Sequence, residues 1–188
     1  MIMGFPKIVY RFFVLFLTVV SFSSCSSDDK SESENVFVGE SGINSSESKD
    51  LWLSLKSTNK DSYEYTIETA SWTGFATSTT IKVEDGEVVS REFISTQPQE
   101  ENPAETETVE EYMEAGSDLG THESGAEILT IDELYNLCFA EYLTVDTDSN
   151  LIYFDTTSEG VINTCGYVNK DCADDCFIGF RLTNFIWL

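Results

Sequence analysis

The side chains able to do chemistry are few in kind: one histidine, five cysteines and a large excess of carboxylates, 34 Asp and Glu in 188 residues. The histidine, His122, lies in the run Gly120-Thr121-His122-Glu123-Ser124-Gly125. A histidine serves as a general base only when a nucleophile or substrate proton sits within hydrogen-bond reach. Ser124, two residues on, does not make a triad. The chain has no Gly-x-Ser-x-Gly elbow, phosphate-binding loop, dinucleotide fingerprint or His-Glu-x-x-His helix. His122 therefore reads as an exposed loop residue. Asp146, Asp148 and Asn150 alternate as the first ligands of an EF-hand loop do. That pattern then fails, because its sixth position is Leu151 instead of Gly and its twelfth is Thr157 instead of Glu. The run reads as a turn built by Asp and Asn. Carboxylate pairs of the glycosidase kind have no distinguishing spacing among so many acids.

Four cysteines, Cys138, Cys165, Cys172 and Cys176, lie in the C-terminal third. An even number in an exported chain indicates two disulfides, with three possible connectivities. The expected pairing is Cys165–Cys176, closing a hairpin, with Cys138–Cys172 tying a helix to the loop. The main rival is Cys165–Cys172 with Cys138–Cys176. Zinc is disfavoured because no Cys-x-x-Cys pair exists and His122 is remote in sequence. No metal, no other cofactor and no catalytic residue is expected.

The fifth cysteine, Cys25, follows a segment laid out as a secretion signal. Lys7 and Arg11 precede the apolar run Phe12–Val20, and Ser21, Phe22, Ser23 and Ser24 lead to the cysteine. The apolar run is too short to span a bilayer. Cys25 after Ser23-Ser24 resembles the lipobox of bacterial lipoproteins, with Phe22 where Leu is usual. That resemblance implies removal of residues 1–24 and acylation (palmitate) of Cys25. The acidic, Ser-rich run Ser26–Glu34 resembles the export tag of surface lipoproteins in the Bacteroidetes. It implies an outer-membrane anchor with surface exposure, a periplasm-facing anchor being the alternative.

Net charge narrows the partners. The formal charge is −24. Without residues 1–24, which hold two basic and no acidic residues, eight basic residues face 34 acidic ones, giving −26. Such a chain repels nucleic acid and anionic lipid. The partners expected are the membrane, through lipid alone, and a protein or cation. An aromatic fraction of 13% supplies a core.

Elements follow from pattern. Residues 25–46 read as a flexible acidic tether and 47–188 as one disulfide-stapled domain. A first helix begins after Ser48 as N-cap and carries Leu51, Trp52 and Leu55 on its apolar side. Tyr63, Tyr65 and Ile67 alternate as in a half-buried strand. Residues 74–84 and 87–95 read as two more, joined at Asp85-Gly86 by a type I′ turn. Residues 97–127, with Pro98, Pro103, ten acidic residues and no Lys or Arg, read as a long acidic loop. Thr130 and Glu133 form a capping box, and Ile131, Leu134, Cys138 and Tyr142 share one face of a second helix. Residues 151–155, 161–168 and 177–187 close the domain as strands. The order α-β-β-β-α-β-β-β gives an α+β fold: a mainly antiparallel sheet of five to six strands with both helices on one face.

With Trp52, Tyr63-Glu64-Tyr65, the Val83–Val88 hairpin, Thr130–Leu134 and Ile152–Asp155 with Gly160 in place, residues 50–188 resemble an uncharacterised family of bacterial lipoproteins, a domain of unknown function. The resemblance implies fold and location but no activity. The expectation is a lipid-anchored envelope protein acting as a non-catalytic binding or accessory module. The alternative is a protein inhibitor or calcium-dependent adhesion module, with Glu110, Glu111, Asp118 or Glu123 meeting a cation or basic partner.

Overall fold

A computed structural model describes residues 36–174 and 176–188. The signal segment and Cys25 lie outside the described residues. The fold is α+β. Seven antiparallel strands form one sheet in the order β4-β3-β2-β1-β7-β6-β5, with two helices on one face. The strands are β1 Tyr63–Ala70, β2 Ala76–Glu84, β3 Glu87–Pro98, β4 Thr106–Ala115, β5 Asn150–Thr156, β6 Ile162–Asn169 and β7 Phe177–Trp187. Two meanders, β1–β4 and β5–β7, are joined through β1 and β7.

The acidic region differs most from the sequence expectation. Residues 97–127 are not one loop. β3 runs on to Pro98, and Thr106–Ala115 returns along it as β4, one of the two edge strands. Its Thr, Val and Tyr residues favour strand, but their alternation is hidden among glutamates. The strand count is therefore seven, and the element order α-β-β-β-β-α-β-β-β. Between β2 and β3, Asp85 (φ 51°) and Gly86 (φ 82°) both adopt the positive φ that a type I′ turn needs.

Helix α1 spans Ser45–Thr58 and starts earlier than expected. Asn44, not Ser48, is its N-cap, accepting from the Glu47 backbone N–H at 2.9 Å. Ser48 is buried inside the helix, where its hydroxyl meets Tyr135 Oη (2.6 Å) and the Gly160 carbonyl (2.7 Å). The tether also ends sooner. Phe37 packs on the core, Val38 bridges to Asn44, and the Ser41 N–H donates to Asp155 Oδ1 at 3.1 Å. Helix α2, Ile131–Leu137, carries the expected capping box of Thr130 and Glu133. A π turn over Cys138–Tyr142 prolongs it, closed by the Leu143 N–H on the Cys138 carbonyl at 3.0 Å.

The inner sheet face and the helices share an aromatic core. Trp52, Tyr63, Tyr65 and Tyr135 are fully buried. Trp52 stacks on Trp187 with centroids 5.5 Å apart and meets Tyr63 edge-on at 5.2 Å. The three tyrosine hydroxyls are used, as buried polar groups must be: Tyr63 Oη accepts from the Ile131 N–H, Tyr65 donates to the Leu129 carbonyl, and Tyr135 accepts from the Ile162 N–H. Burial raises the pKa of all three, that of Tyr135 to about 12, so the hydroxyls stay protonated.

The disulfides take the third connectivity, correcting both expected pairings. Cys138 joins Cys165, and Cys172 joins Cys176. Cys165 pairs in register with Phe180, not with Cys176, and its side chain faces inward. Cys138 sits above it on the π turn, at a Cα separation of 5.8 Å. Cys172 and Cys176 lie in the segment between β6 and β7, too far along the strand axis to reach either.

Candidate functional site

One row of residues crosses the inner face and changes character along the way. Tyr65, Ile81, Arg91 and Glu114 occupy matched positions on β1, β2, β3 and β4. The first two are apolar core under the helices. The last two are a buried ion pair under residues 116–129, with side-chain exposures of 5% and 0% and an N···O distance of 2.9 Å. Glu114 also accepts from the Gly120 N–H (2.9 Å), the His122 N–H (2.6 Å), the Thr121 hydroxyl (3.3 Å) and His122 Nδ1 (2.8 Å). Arg91 donates further to the carbonyls of His122 (2.8 Å) and Ala126 (3.1 Å). Burial alone would raise the Glu114 pKa. The backbone N–H groups of His122 and Gly120, the His122 side chain and Arg91 outweigh it and hold the carboxyl down at about 2.

This arrangement fixes His122. A carboxylate only accepts, so Nδ1 carries the proton. The ring stacks on Tyr112 with centroids 3.9 Å apart, and Tyr112 Oη donates to the Ser124 carbonyl. A histidine oriented by a carboxylate is the second half of a general-base relay. Here the nearby hydroxyl points elsewhere, because Ser124 Oγ donates to both oxygens of Glu110 at 2.8 and 3.0 Å. The cluster is a clasp that pins the segment after β4 onto the sheet.

The four acids expected to meet a cation or partner are not gathered. Glu110 faces inward on β4 and is engaged by Ser124, whereas Glu111 is exposed on the opposite face. Asp118 lies in a single 3-10 turn, and Glu123 is exposed beside the clasp. Among the described residues no group of three or more His, Cys, Asp or Glu is placed to hold a metal. Asp146 closes its own turn, accepting from the Asp148 N–H (3.0 Å) and Ser149 hydroxyl (2.9 Å). Lys170 donates to the Thr147 and Asp148 carbonyls, which puts an ammonium group against this turn.

Sequence reasoning missed two features. One is the β4 edge, with Val109 (53% exposed) and Met113 (70% exposed) set among Glu107, Glu110 and Glu111. The other is a split in the sheet. β1 and β7 pair from Tyr63↔Trp187 to Ile67↔Leu182 and then part. β1 continues with β2 alone, and the start of β7 with β6 alone. A cavity of about 400 Å³ opens over the gap on the inner face, and one of about 370 Å³ on the outer face. Ile67, Thr69, Gly179 and Phe180 line both. The one sequence mark of the divergence is Gly179 within the parted stretch of β7, and a single strand glycine does not say where two strands separate.

No family model, curated protein or solved structure matches this chain.

Proposed function

We propose that the chain is a lipid-anchored protein of the bacterial cell envelope, held through Cys25 at the outer membrane and displayed at the cell surface. It acts as a non-catalytic binding or accessory module. The observation that carries the binding part is the form of its acidic region. Residues 106–115 are an edge strand offering unpaired backbone, exposed Val109 and Met113, and a row of glutamates without a Lys or Arg. An edge strand is a template for pairing with another chain. Carboxylates on it select a basic partner and speed its approach.

The anchor rests on the resemblance of residues 12–25 to a lipoprotein signal, consistent with no described helix being long and apolar enough to cross a membrane. Metabolic labelling with an alkyne fatty acid tests it. Label should enter the chain in cells, and Cys25→Ala should abolish the label and release the protein from the membrane fraction. Unchanged labelling and sedimentation of Cys25→Ala would defeat the anchor. Protease shaving of intact cells, with a periplasmic control protein intact, tests the surface assignment. A protected domain would move the protein to the periplasmic side.

The inhibitor reading uses the same edge toward a basic enzyme surface. The calcium-dependent adhesion reading has less support, since Glu110, Glu111, Asp118 and Glu123 stand apart.

A further inference from the structure

We infer that the inner cavity at the β1–β7 split binds a small apolar molecule bearing a cationic end, a long-chain or aryl-substituted amine. This site is separate from the β4 edge and does not depend on that reading.

The cavity has the character of a small-molecule site: about 400 Å³, concave, mostly apolar and bordered by a few polar groups. Its body is made by Ile67, Phe93, Leu134, Leu137 and Phe180. The segment 125–129 covers one side and is held there by the clasp, through Arg91 on the Ala126 carbonyl, and by the Ala126 N–H on Thr79 Oγ1 (3.0 Å). The π turn forms another wall and delivers Tyr142 to it. π turns recur at functional sites because they displace side chains from the helical register.

The polar groups decide the ligand's charge. Thr79 is engaged by Ala126, and Thr69 and Thr77 bond each other at 2.7 Å. Glu127 is exposed at the mouth of the cavity, and Tyr142 is half-buried on its wall. Among the described residues Glu127 is the only charged one on the wall, and no Lys or Arg lines this lobe. Burial, with the carboxylates of Glu141 and Glu127 nearby, raises the Tyr142 pKa and keeps its hydroxyl neutral. An ammonium group at Glu127 with an apolar tail in the cavity satisfies both parts. A fatty acid would set carboxylate against carboxylate in a chain of net charge −24.

The test uses the full chain in neutral detergent with two diazirine-bearing long-chain compounds, one an amine and one the matching carboxylate. After irradiation, labelled peptides are mapped by mass spectrometry. The amine should label residues 125–142 and 177–182 saturably, and unlabelled dodecylamine should compete. Ala126→Phe fills the cavity and should cut that labelling by about tenfold, the loss that accompanies about 1.4 kcal/mol of displaced apolar contact. Labelling of detergent-facing segments should persist as the internal control. Glu127→Lys should reverse the preference toward the carboxylate. If Ala126→Phe fails to fold, Thr77→Phe blocks the same space from the sheet side. Adducts spread in proportion to exposure, labelling indifferent to both cavity-filling variants, or equal labelling by amine and carboxylate would overturn the proposal.

Discussion

Arg91 and Glu114 face each other across β3 and β4 as a buried ion pair, and every further side-chain hydrogen bond either makes reaches into residues 120–126. The pair thus joins the sheet to the segment that roofs the cavity. Removing one partner leaves the other charge buried without compensation, which costs more than the pair contributes. Arg91→Met should lower Tm by several degrees and expose residues 116–129 to hydrogen exchange. The double variant Arg91→Met/Glu114→Met should recover part of that loss. A double-mutant cycle by thermal denaturation checks both, and equal loss in single and double variants would remove the pair from the account.

The same carboxylate predicts an acid limb. The Glu114 pKa is depressed from 4.5 to about 2 in the fold. A depressed carboxyl stabilises the fold in full above its unfolded pKa, and that contribution is lost as pH falls toward the folded value. Stability should therefore decline between about pH 5 and pH 2. Glu114→Gln should be less stable at neutral pH but flatter through that window. Urea midpoints measured from pH 7 to pH 2 decide it, and parallel curves for the two proteins would refute it.

How far the residues revealed this fold depends on how local each signal was. The capping box at Thr130, the Asp85-Gly86 turn and the Tyr63–Tyr65 alternation act over a few residues, and each stands where its pattern placed it. β4 was hidden because acidic composition and Pro103 outweighed a weak Thr-Val-Tyr alternation. Its stability is tertiary, through Phe93 against Tyr112 at 5.1 Å and Arg91 against Glu114. The disulfides failed for a related reason. Spacing along the chain says nothing about which face of β6 carries Cys165. Of the candidate site, His122 was visible as a residue but its partners were not, because Glu114 and Arg91 lie on other strands.

The two disulfides should differ in access. Cys138 and Cys165 are fully buried, while Cys172 is exposed and Cys176 half-buried. Mild reductant followed by alkylation should modify Cys172 and Cys176 first, leaving Cys138–Cys165 until the domain unfolds. Cys138→Ala/Cys165→Ala should cost about 2–5 kcal/mol, as removal of a native bridge does. The Cys172–Cys176 bridge closes only a short loop, of sequence separation 4, so Cys172→Ser/Cys176→Ser should change stability far less. Peptide mapping after graded reduction, with urea denaturation of both variants, tests the ranking.

Tyr63 links the first strand to the second helix. Its hydroxyl accepts the Ile131 backbone N–H, one of the first-turn donors that α2 cannot satisfy internally. Tyr63→Phe keeps the ring contacts with Trp52 and Phe185 but leaves that N–H buried and unpaired. The expected cost is about 1–3 kcal/mol, with faster amide exchange confined to the first turn of α2. A loss below about 0.5 kcal/mol would mean that water or a shifted carbonyl replaces the phenol.

Gly166 on β6 stands opposite Gly179 on β7, at the outer side of the sheet split. A Cβ on Gly166 would overlap the Ile178 carbonyl, come within 2.6 Å of Phe177 Cζ and lie 2.9 Å from Gly179 Cα. Two of those obstacles are backbone, so a rotamer change cannot relieve them. The Phe177 ring fills the space that a side chain would have taken, and the Arg181 guanidinium lies 3.9 Å from the centre of that ring. Gly166→Ala should therefore push β6 and β7 apart at this point and lift Phe177 and Arg181 from their stack. Overpacking of this kind costs about 1–3 kcal/mol. The variant should also show faster exchange in β7 residues 177–181 but not in 183–187, where β1 supports the strand. Uniform exchange along β7, or unchanged stability, would show that the two strands yield more freely here than this packing implies.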